Sequence, residues 1–411
     1  MAAGAAAGAI GLIQALSSCC PVLRHGCGSL IAVDSQLRVL HVVYSLHHGG
    51  AERAATNILT GLHELDADAR CAVFSPPADT EFEAELREKH VPLVHFGKRK
   101  GFSGGVYQQL ARLISGFKPH VLHTHLGVLR YALPPALWLR VPVLVHTLHA
   151  RAYTEGVGLE RWLRRQTFDK RVVPVAVARI IADTACELYG LASCRVIYNG
   201  IPTARFLRPA GAKKQARQQL GIPDEDVVFI CVARLHPVKN HQLLLQAFQQ
   251  VAATSARAWL LVVGGGPLLQ ELSARAQDPA FGGRLRVLGP QESIIELLWA
   301  ADVAVLASLT EGLPVALTEA MAAGNAVICT DIGGMPELVL HDATGLVVPS
   351  GDSQALAAAM LKLAADAELR RRMAAAGLKR AVEQFDYLAT SRQYLRLYES
   401  LLAERKRRAQ P

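Results

Sequence analysis

The sequence is poor in charged and in aromatic residues. Charged residues make up 19% of the chain and aromatic residues 6%, whereas hydrophobic residues make up 51%. A chain with so little charge and so much apolar side chain buries a core and is not extensively disordered. The sparse aromatic residues, without any nucleic-acid motif, exclude nucleic acid as an expected partner. At 411 residues, the chain is too long for one ordinary domain and long enough for two.

The sequence also lacks a disulfide framework. It has eight cysteines, and most lie singly in apolar stretches, where they are expected to be buried thiols. Cys19, Cys20 and Cys27 cluster near the N-terminus without the spacing of zinc ligands. Unpaired thiols fit a reducing compartment, so we expect a cytoplasmic protein.

Residues 1–36 lack the signals of a targeting segment. No basic residue precedes the uncharged stretch at 2–23, as a signal peptide requires. The stretch is also less hydrophobic than a transmembrane helix. We expect residues 1–36 to form a flexible extension; a mis-assigned start of the chain and a weak membrane anchor are the alternatives.

Positive charge is concentrated in the first half of the chain. The net charge is +9, and residues 1–205 carry 22 basic against 15 acidic side chains. This excess indicates an anionic partner, either a membrane surface or an anionic acceptor. Residues 98–100 and 161–171 are candidates for peripheral contact with anionic lipid at the inner face of the plasma membrane, because Trp162 and Phe168 lie among the basic residues. A solvated basic face with its aromatic side chains in the core is the alternative.

Short apolar runs alternate with amphipathic segments in two series, which predicts βαβ units and parallel sheets. A stretch rich in proline, glycine and lysine at 201–226 separates the series and predicts a linker that includes a short helix. We therefore predict an α/β protein with two Rossmann-like domains, at 37–206 and 207–384, and a C-terminal helix with a basic tail at 385–411. Ligands are expected in the cleft between the domains, beyond the carboxyl ends of the strands.

Ten strands are predicted from the apolar runs. They are 37–44, 71–74, 121–123, 143–146 and 172–177 in the first domain, and 227–232, 260–263, 284–288, 303–307 and 326–330 in the second.

Glu311 and Glu319 are the most informative pair of residues. They stand eight positions apart, on either side of a turn that follows a predicted strand and opens an Ala-rich helix. The turn contains Gly312, Leu313, Pro314 and Val315, which suit a loop that becomes a helix. Two carboxylates that grip hydroxyl groups, beside the free N–H groups of a helix start, suit a sugar nucleotide.

Arg234 and Lys239 lie in the loop after another predicted strand of the second series. An Arg fork and a Lys point charge at a strand's carboxyl end suit a diphosphate leaving group, although two solvated basic residues are the plainer alternative. The glycine turn around Gly265 follows the next strand. It lacks the full dinucleotide spacing, and we expect it to let a nucleotide lie against the backbone.

In the first half, Gly50 opens a predicted helix after a strand, where glycine lets the backbone approach a ligand. His149 follows the end of a strand and points toward the expected cleft as a donor to a sugar hydroxyl. His123 and His125 share one face of a strand, so a metal site is conceivable there. No acidic or thiol ligand accompanies them, and histidines of a polar cleft are the favoured interpretation.

Several motifs that follow one another in order give the chain a family resemblance. They are the loop at Gly50, the strand end at His149, the stretch 197–201 around Asn199, the Arg234 and Lys239 pair, and the runs 311–319 and 331–337. From about Leu37 to Tyr398, the sequence resembles the retaining glycosyltransferases of the GT-B fold, most closely glycosyltransferase family 4. The resemblance implies two Rossmann-like domains that face a cleft, with C-terminal helices that cross back.

The resemblance also implies a role for each matched residue. Glu311 should contact hydroxyls of the transferred sugar and Glu319 the ribose, while Arg234 and Lys239 bind the diphosphate with backbone amides around residues 313–315. His149 should lie near the donor sugar and Gly50 near the phosphates, and Asn199 should be among the donor contacts. The implied reaction moves a sugar from a UDP- or GDP-sugar to a glycan or lipid-linked acceptor, with retention, in cell-surface polysaccharide or glycolipid synthesis. No divalent metal or other cofactor is expected.

Two departures and two rival functions accompany the resemblance. Asn325 stands where a proline is common, and Ala178 and Arg179 where a serine often follows a strand, which puts a ligand contact there in doubt. The rivals are an epimerase or hydrolase of UDP-sugars with the same fold, and an inactive subunit that binds a nucleotide sugar.

Overall fold

The computed structural model describes residues 36–47, 49–98, 103–155 and 158–409. The extension expected at 1–36 thus lies, except for Gln36, outside the described residues. Two wholly parallel sheets, each flanked by helices, form the two α/β domains.

The first sheet has seven strands in the order β3-β2-β1-β4-β5-β6-β7. The strands are β1 (Arg38–Val43), β2 (Asp68–Val73), β3 (Leu93–His95), β4 (Val121–His125), β5 (Val143–Leu148), β6 (Val173–Ala176) and β7 (Arg195–Val196). The helices are α1 (Gly50–Glu64), α2 (Glu81–Glu88), α3 (Gly105–Phe117), α4 (Leu129–Trp138), α5 (Ala152–Glu155), α6 (Leu159–Thr167) and α7 (Arg179–Tyr189), with a 3₁₀ turn at Leu126–Val128.

The second sheet has six strands in the order β10-β9-β8-β11-β12-β13. They are β8 (Val227–Val232), β9 (Ala258–Val263), β10 (Leu285–Gly289), β11 (Val303–Leu306), β12 (Ala326–Thr330) and β13 (Gly345–Val348). The helices before and within this half are α8 (Thr203–Phe206), α9 (Ala212–Leu220), α10 (His241–Thr254), α11 (Leu269–Arg275), α12 (Ile295–Ala300), α13 (Val315–Ala322), α14 (Met335–Leu338), α15 (Ser353–Ala365), α16 (Ala367–Gln384) and α17 (Tyr387–Ala409), with 3₁₀ turns at Pro237–Lys239 and Pro279–Phe281.

Both sheets reverse their strand order at one point. In the first sheet β1 pairs with both β2 and β4, and in the second β8 pairs with both β9 and β11. The loops that leave the carboxyl ends of the two central strands diverge there and leave a crevice, which is where ligands bind in open α/β sheets. This topology confirms the prediction of two Rossmann-like halves and fixes where a site should lie.

The C-terminal helix crosses back onto the first domain, as expected. Tyr394, Leu397 and Tyr398 of α17 are buried in the same apolar cluster as Val39 and Val73 of the first sheet. Ser391 on the same helix donates a hydrogen bond to the carbonyl oxygen of Ile58 at 3.4 Å. The end of the chain therefore completes the core of the domain that began it.

Three strands were missed by the sequence prediction, namely β3, β7 and β13. β3 and β7 are only three and two residues long and are partly buried or exposed, and all three strands lie at a sheet edge. Short edge strands lack the apolar run that identifies a central strand. No helix among the described residues is long and apolar enough to cross a membrane.

Candidate active site

The reversal point of the second sheet brings Lys239 and Glu311 together. β8 leads into the loop that carries Lys239, and β11, its neighbour in the sheet, leads into the loop that carries Glu311. The Lys239 ammonium forms an ion pair with the Glu311 carboxylate. Ser308 donates a hydrogen bond to the same carboxylate oxygen at 2.7 Å. Residues 72 positions apart are thus held at one edge of the sheet.

Arg234 lies at the start of the same loop as Lys239. Its side chain is exposed and has no hydrogen bond or ion pair with any residue that the structure describes. A guanidinium held at a strand end without a protein carboxylate has its full set of donors available for an anion.

The glycine turn after β9 packs against the loop of Arg234. Gly264 and Gly266 have φ angles of +141° and +150°, and a Cβ atom on Gly264 would lie 2.0 Å from the carbonyl oxygen of Ala233. The carbonyl of Gly265 accepts a hydrogen bond from the backbone N–H of Leu235 at 2.8 Å. Glycine at these positions therefore lets the turn after β9 pack closely against the backbone of the Arg234 loop.

Glu319 lies in the second turn of α13, which begins at Val315 after the N-cap residue Pro314. The first N–H groups of this helix have no intrahelical acceptor. The Glu319 side chain is half-buried, and desolvation raises its pKa to about 7 against the opposing effect of Arg53, an α1 residue, and Arg205.

The two domains touch where Gly312 meets His149. A Cβ atom on Gly312 would lie 2.2 Å from the carbonyl oxygen of His149, and one on Gly333 would lie 2.1 Å from the carbonyl oxygen of Glu311. Gly334 donates a backbone hydrogen bond to the carbonyl of Gly312 at 2.7 Å. The paired glycines after β12 thus support the Glu311 loop from behind, and only glycine at 312 permits this close approach of the domains.

His149 ends a chain of hydrogen-bonded histidines. Its Nε2 lies 3.0 Å from Nδ1 of His125, and Nε2 of His125 lies 3.1 Å from Nδ1 of His41. His125 and His41 are buried, and burial lowers the pKa of His149 and of His41 to about 3. These side chains are therefore neutral at physiological pH.

Three histidines of the first sheet come close enough to be considered as metal ligands. In the part of the chain that the structure describes, the side-chain nitrogens of His41, His123 and His125 lie within 4.8 Å of one another. Both ring nitrogens of His123 already have hydroxyl partners, Tyr398 at 2.6 Å and Thr147 at 2.7 Å. Among the described residues, His123 thus has two hydroxyl partners, whereas Nε2 of His41 has none.

Gly50 and Asn199 lie apart from these contacts. Gly50 is the first residue of α1, and a Cβ atom there would meet nothing within 4 Å. The Asn199 side chain is buried, and its neighbour Gly200 packs against Tyr387 and Thr390 of α17. The predicted donor contacts of both residues stay predictions.

The basic segments present less positive surface than the sequence suggests. Lys98 is buried over the rings of Tyr44 and Tyr131, while Arg99 and Lys100 lie outside the described residues. In 161–171, Arg164 and Phe168 are buried and Trp162 is 59% exposed. Within the candidate lipid contact at 98–100 and 161–171, Lys98 and Arg164 are therefore not available to a membrane surface, because each is buried in the first domain.

Comparison with protein families matches two models to this chain. The model for Glycosyltransferase Family 4 matches residues 48–205, and the model for Glycosyl transferases group 1 matches residues 212–380. The chain belongs to the family 4, group 1 glycosyltransferases. The boundary between the two models falls in the segment that joins the two sheets.

Individual relatives of this glycosyltransferase are similar over most of their length. N-acetyl-alpha-D-glucosaminyl L-malate synthase of Bacillus anthracis is 28% identical over 70% of this chain and 76% of the relative. Alpha-maltose-1-phosphate synthase of Mycolicibacterium smegmatis is 28% identical over 87% and 96%. The crystal structure of Anabaena HepE in complex with UDP has a TM-score of 0.78 at 22% identity, over 89% of this chain and all of that one, which confirms the GT-B fold.

Glu337 is a residue of the enzyme whose contact the sequence did not reveal. Its carboxylate lies in the second domain and accepts hydrogen bonds from the backbone N–H groups of Arg179 at 2.7 Å and Ile180 at 3.0 Å, in the first turn of α7. The hydroxyl of Tyr198 donates to it at 3.1 Å. A carboxylate of the second domain thus caps a helix of the first domain. The capped helix begins at the position where the family often has a serine and this chain does not.

Asn325 of the enzyme has a structural role away from these loops. Its side chain is buried, accepts a hydrogen bond from Arg208 at 2.9 Å and donates one to the carbonyl of Leu298 at 3.0 Å. The departure from proline at this position therefore serves packing behind the second sheet.

Proposed function

We propose that this glycosyltransferase moves a sugar from a nucleotide-sugar donor with retention at the anomeric carbon and without a divalent metal. The observation that carries the proposal is the meeting of Lys239, Glu311 and the start of α13 at the reversal point of one sheet, against His149 of the other. This is the edge of an open α/β sheet where nucleotide ligands bind.

The leaving diphosphate would be held by protein charge. Arg234 has no carboxylate partner among the described residues, and the N–H groups that open α13 add the positive end of a helix dipole. The Lys239 ammonium forms an ion pair with the Glu311 carboxylate. The ammonium can contact phosphate at the same time as Glu311 holds a sugar hydroxyl. These groups supply the stabilisation of developing negative charge that a metal supplies in other transferases. Backbone amides around Leu313 and the open backbone at Gly50 would complete the cradle.

The argument for retention at the anomeric carbon depends on which group removes the proton of the acceptor hydroxyl. His149 is neutral with a pKa of about 3 and is too weak a base for that task. The departing phosphate oxygen, held by Arg234 and Lys239 on the face that the leaving group vacates, would take the proton. The acceptor then attacks from that same face.

The donor is a UDP- or GDP-sugar, with Glu319 at the ribose, Gly265 beside the nucleotide and Asn199 among the donor contacts. The solved relative HepE binds UDP, which favours UDP. Half-burial of Glu319 and its raised pKa fit a carboxyl that is desolvated between two domains and has hydroxyl partners only when the donor is bound.

The acceptor is proposed to be a glycan or lipid-linked precursor that reaches the first domain from an anionic membrane. Trp162 and Arg165 are exposed on α6, and the side chains of Lys170 and Arg171, which follow this helix, are exposed as well, a composition typical of interfacial segments. Relatives named for L-malate and inositol 3-phosphate favour a second candidate, a small anionic acceptor that the same positive excess attracts.

The donor is tested by thermal-shift measurements with UDP-, GDP-, ADP- and dTDP-sugars in EDTA, with Glu319→Ala alongside. We expect one nucleotide class to raise Tm in the wild type and not in the variant. A shift that requires added metal would contradict metal independence, and no shift with any donor would contradict the function.

Stereochemistry and acceptor need separate measurements. Proton NMR of the first product formed should show the anomeric configuration of the donor; the opposite configuration would refute retention. Flotation with vesicles of anionic or neutral lipid, using the wild type and Trp162→Ala, tests membrane contact. Turnover with small anionic acceptors in the absence of vesicles would support the second candidate.

A further inference from the structure

Two neighbouring helices of the first domain, α4 and α6, share one flank of the sheet. α4 follows β4, and α6, with the short α5 before it, follows β5, the adjacent strand. Both helices therefore carry the chain from the carboxyl edge of the sheet back to its amino edge. Their first turns meet where Arg130 forms an ion pair with Glu160 at 3.6 Å. The two helices thus lie side by side and run in the same direction.

The outer faces of these helices combine apolar and basic side chains. The exposed positions are 130, 134, 137 and 138 on α4, and 159, 162, 165 and 166 on α6, which is the spacing of one face of each helix. Four of these eight residues are large and apolar, two are basic and none is acidic. We call them the docking face: Arg130, Pro134, Leu137, Trp138, Leu159, Trp162, Arg165 and Gln166.

The apolar side chains of the docking face are strongly exposed. Trp138 is 76% exposed and Trp162 59%, with Leu159 at 65% and Leu137 at 43%. Elsewhere in the part of the chain that the structure describes, exposed large apolar side chains occur singly on separate segments. Single exposed apolar residues are ordinary, whereas a group of them on adjacent helices marks an interaction surface.

Positive charge surrounds the docking face. Residues 129–171 contain eight basic and three acidic side chains, a net charge of +5 out of +9 for the whole chain. Arg140 follows α4, Lys170 and Arg171 follow α6, and all three are exposed. Tryptophan among arginine and lysine is the composition of segments that lie in the headgroup region of an anionic bilayer. A symmetric contact between two copies of the chain would instead bring these like charges together.

We propose that the docking face lies flat on an anionic bilayer, with both tryptophans in the headgroup region and the strands of the first sheet parallel to the membrane. Counted from the contact of Arg130 with Glu160, Trp138 lies eight residues along α4 and Trp162 two residues along α6. The two rings are therefore offset by about 9 Å along parallel helix axes. Two anchors on adjacent helices, offset in this way, define a surface of contact rather than a single point.

This orientation determines how the cleft is presented to an acceptor. The carboxyl edge of the first sheet, where His149 meets Gly312, opens along the membrane surface at about the thickness of one helix, ~10 Å. A lipid-linked acceptor can reach that edge without leaving the bilayer. The choice of a bilayer as the partner rests on the proposed function, in which the acceptor comes from a membrane, whereas the exposure of the docking face does not.

The test is the quenching of tryptophan fluorescence by brominated lipid in the full chain. Vesicles of phosphatidylcholine alone are compared with vesicles that also contain phosphatidylglycerol. Trp138→Phe and Trp162→Phe each remove one reporter and keep an aromatic ring. Trp259 in β9 and Trp299 in α12 belong to the second domain and provide the unquenched reference.

A pair of charge variants tests the electrostatic part of the proposal. Arg140→Gln/Arg165→Gln/Lys170→Gln removes three positive charges on and beside the docking face. The matched control is Arg275→Gln/Arg371→Gln/Lys379→Gln, which removes three exposed positive charges from the second domain. Partitioning onto anionic vesicles is measured by flotation for both triple variants.

We expect quenching with anionic vesicles only, and a similar decrease of the quenched signal in Trp138→Phe and in Trp162→Phe. The triple variant at the docking face should partition onto anionic vesicles roughly 10²-fold more weakly, because each basic residue near the surface adds to the attraction. The control triple variant should change partitioning less than about threefold, since its charges lie away from the membrane.

Several results would overturn the proposal. Quenching of Trp138 alone would place the amino edge of the sheet on the membrane, and quenching of Trp162 alone would place only the start of α6 there. Equal binding to both kinds of vesicle, binding to neither, or a stable dimer in light scattering whose tryptophans are not quenched would each exclude the docking face as a membrane contact. A donor shift without vesicle binding would contradict the docking face and leave sugar transfer standing, and vesicle binding without any donor shift would do the reverse.

Discussion

The two sheets share a strand order but differ in what their central strands contain. β1, β4 and β5 of the first sheet carry four buried histidines, namely His41, His123, His125 and His146. Of the corresponding strands of the second sheet, β8 and β11 are wholly apolar and β12 has one polar side chain besides its cysteine, Thr330. The charged side chains lie in the loops that follow β8 and β11. Two sheets of the same fold thus carry their polar side chains in different places: in buried strands in the first domain, and in the loops after the strands in the second.

The difference follows from how each environment accommodates charge. Loops are partly solvated, so the exposed guanidinium of Arg234 and the ion pair of Lys239 with Glu311 are tolerated there. Buried strands tolerate only neutral groups with partners, and the histidines there are bonded to one another or to hydroxyls of Thr124, Thr147 and Tyr398. The second domain thus carries charged side chains in its loops, and the first carries neutral, hydrogen-bonded histidines in its strands.

The largest expected effect concerns the charged loops. Glu311→Gln keeps the shape of the side chain but removes the charge that pairs with Lys239, and we expect kcat/KM to fall about 10²- to 10³-fold. Ser308→Ala, which removes one hydrogen bond to the same carboxylate, is the matched control and should cost less than about tenfold. Initial rates of sugar transfer measure both variants. Equal rates for Glu311→Gln and wild type would show that the charge of Glu311 is not needed for transfer.

The first domain should be the acid-sensitive one. Burial lowers the pKa of His41 and His149 to about 3 and that of His123, His125 and His146 well below the usual value. Their stabilising effect is present above pH 6.5 and is lost as the pH falls toward 3, because the unfolded chain binds protons first.

Each group contributes up to about 1.4 kcal/mol per pH unit in that window, so several kcal/mol should be lost between pH 6.5 and 5. Hydrogen exchange followed by mass spectrometry, corrected for intrinsic rate, should show β1, β4 and β5 losing protection before β8 and β11. Simultaneous loss in both sheets would show that the histidines do not set acid stability.

Glu319 should respond to pH with the opposite sign. Desolvation raises its pKa to about 7, so its favourable state is the protonated one, and stability falls as the pH rises from 4.5 through 7. Glu319→Gln should therefore stabilise the protein without ligand at pH 8 by on the order of 2 kcal/mol and change little at pH 4.5. Urea unfolding at the two pH values measures the difference; no gain at pH 8 would mean that the carboxyl is solvated.

The smallest expected effect is on domain closure. Glu337→Ala removes the cap that the second domain provides for α7 of the first, at a cost of about 1 kcal/mol to the closed arrangement. Small-angle scattering should show a larger radius of gyration. Tyr198→Phe removes only the hydroxyl contact with Glu337 and should change the radius less. Equal radii for Glu337→Ala and wild type would show that other contacts close the cleft.

Local patterns predicted the fold and part of the site. Central strands such as β8 and β12 were predicted at their observed bounds, because a buried parallel strand is a continuous apolar run between turns. The loop and helix that carry Glu311 and Glu319 were predicted from glycine, proline and an Ala-rich segment. The short edge strands and the buried state of Lys98 and Arg164 were not, since they depend on distant neighbours.

The sequence by itself determined two parallel α/β domains and the strand ends at which Arg234, Lys239, Glu311 and His149 stand. Only the tertiary structure decided that Lys239 pairs with Glu311, that Glu337 caps a helix of the other domain, and that His41, His125 and His149 form one line. The periodicity of apolar residues and the turn residues depend on a few neighbouring positions, so they can be recognised in the sequence. Contacts between residues 72 or 158 positions apart depend on strand order and on how closely the two domains approach, which no local pattern records.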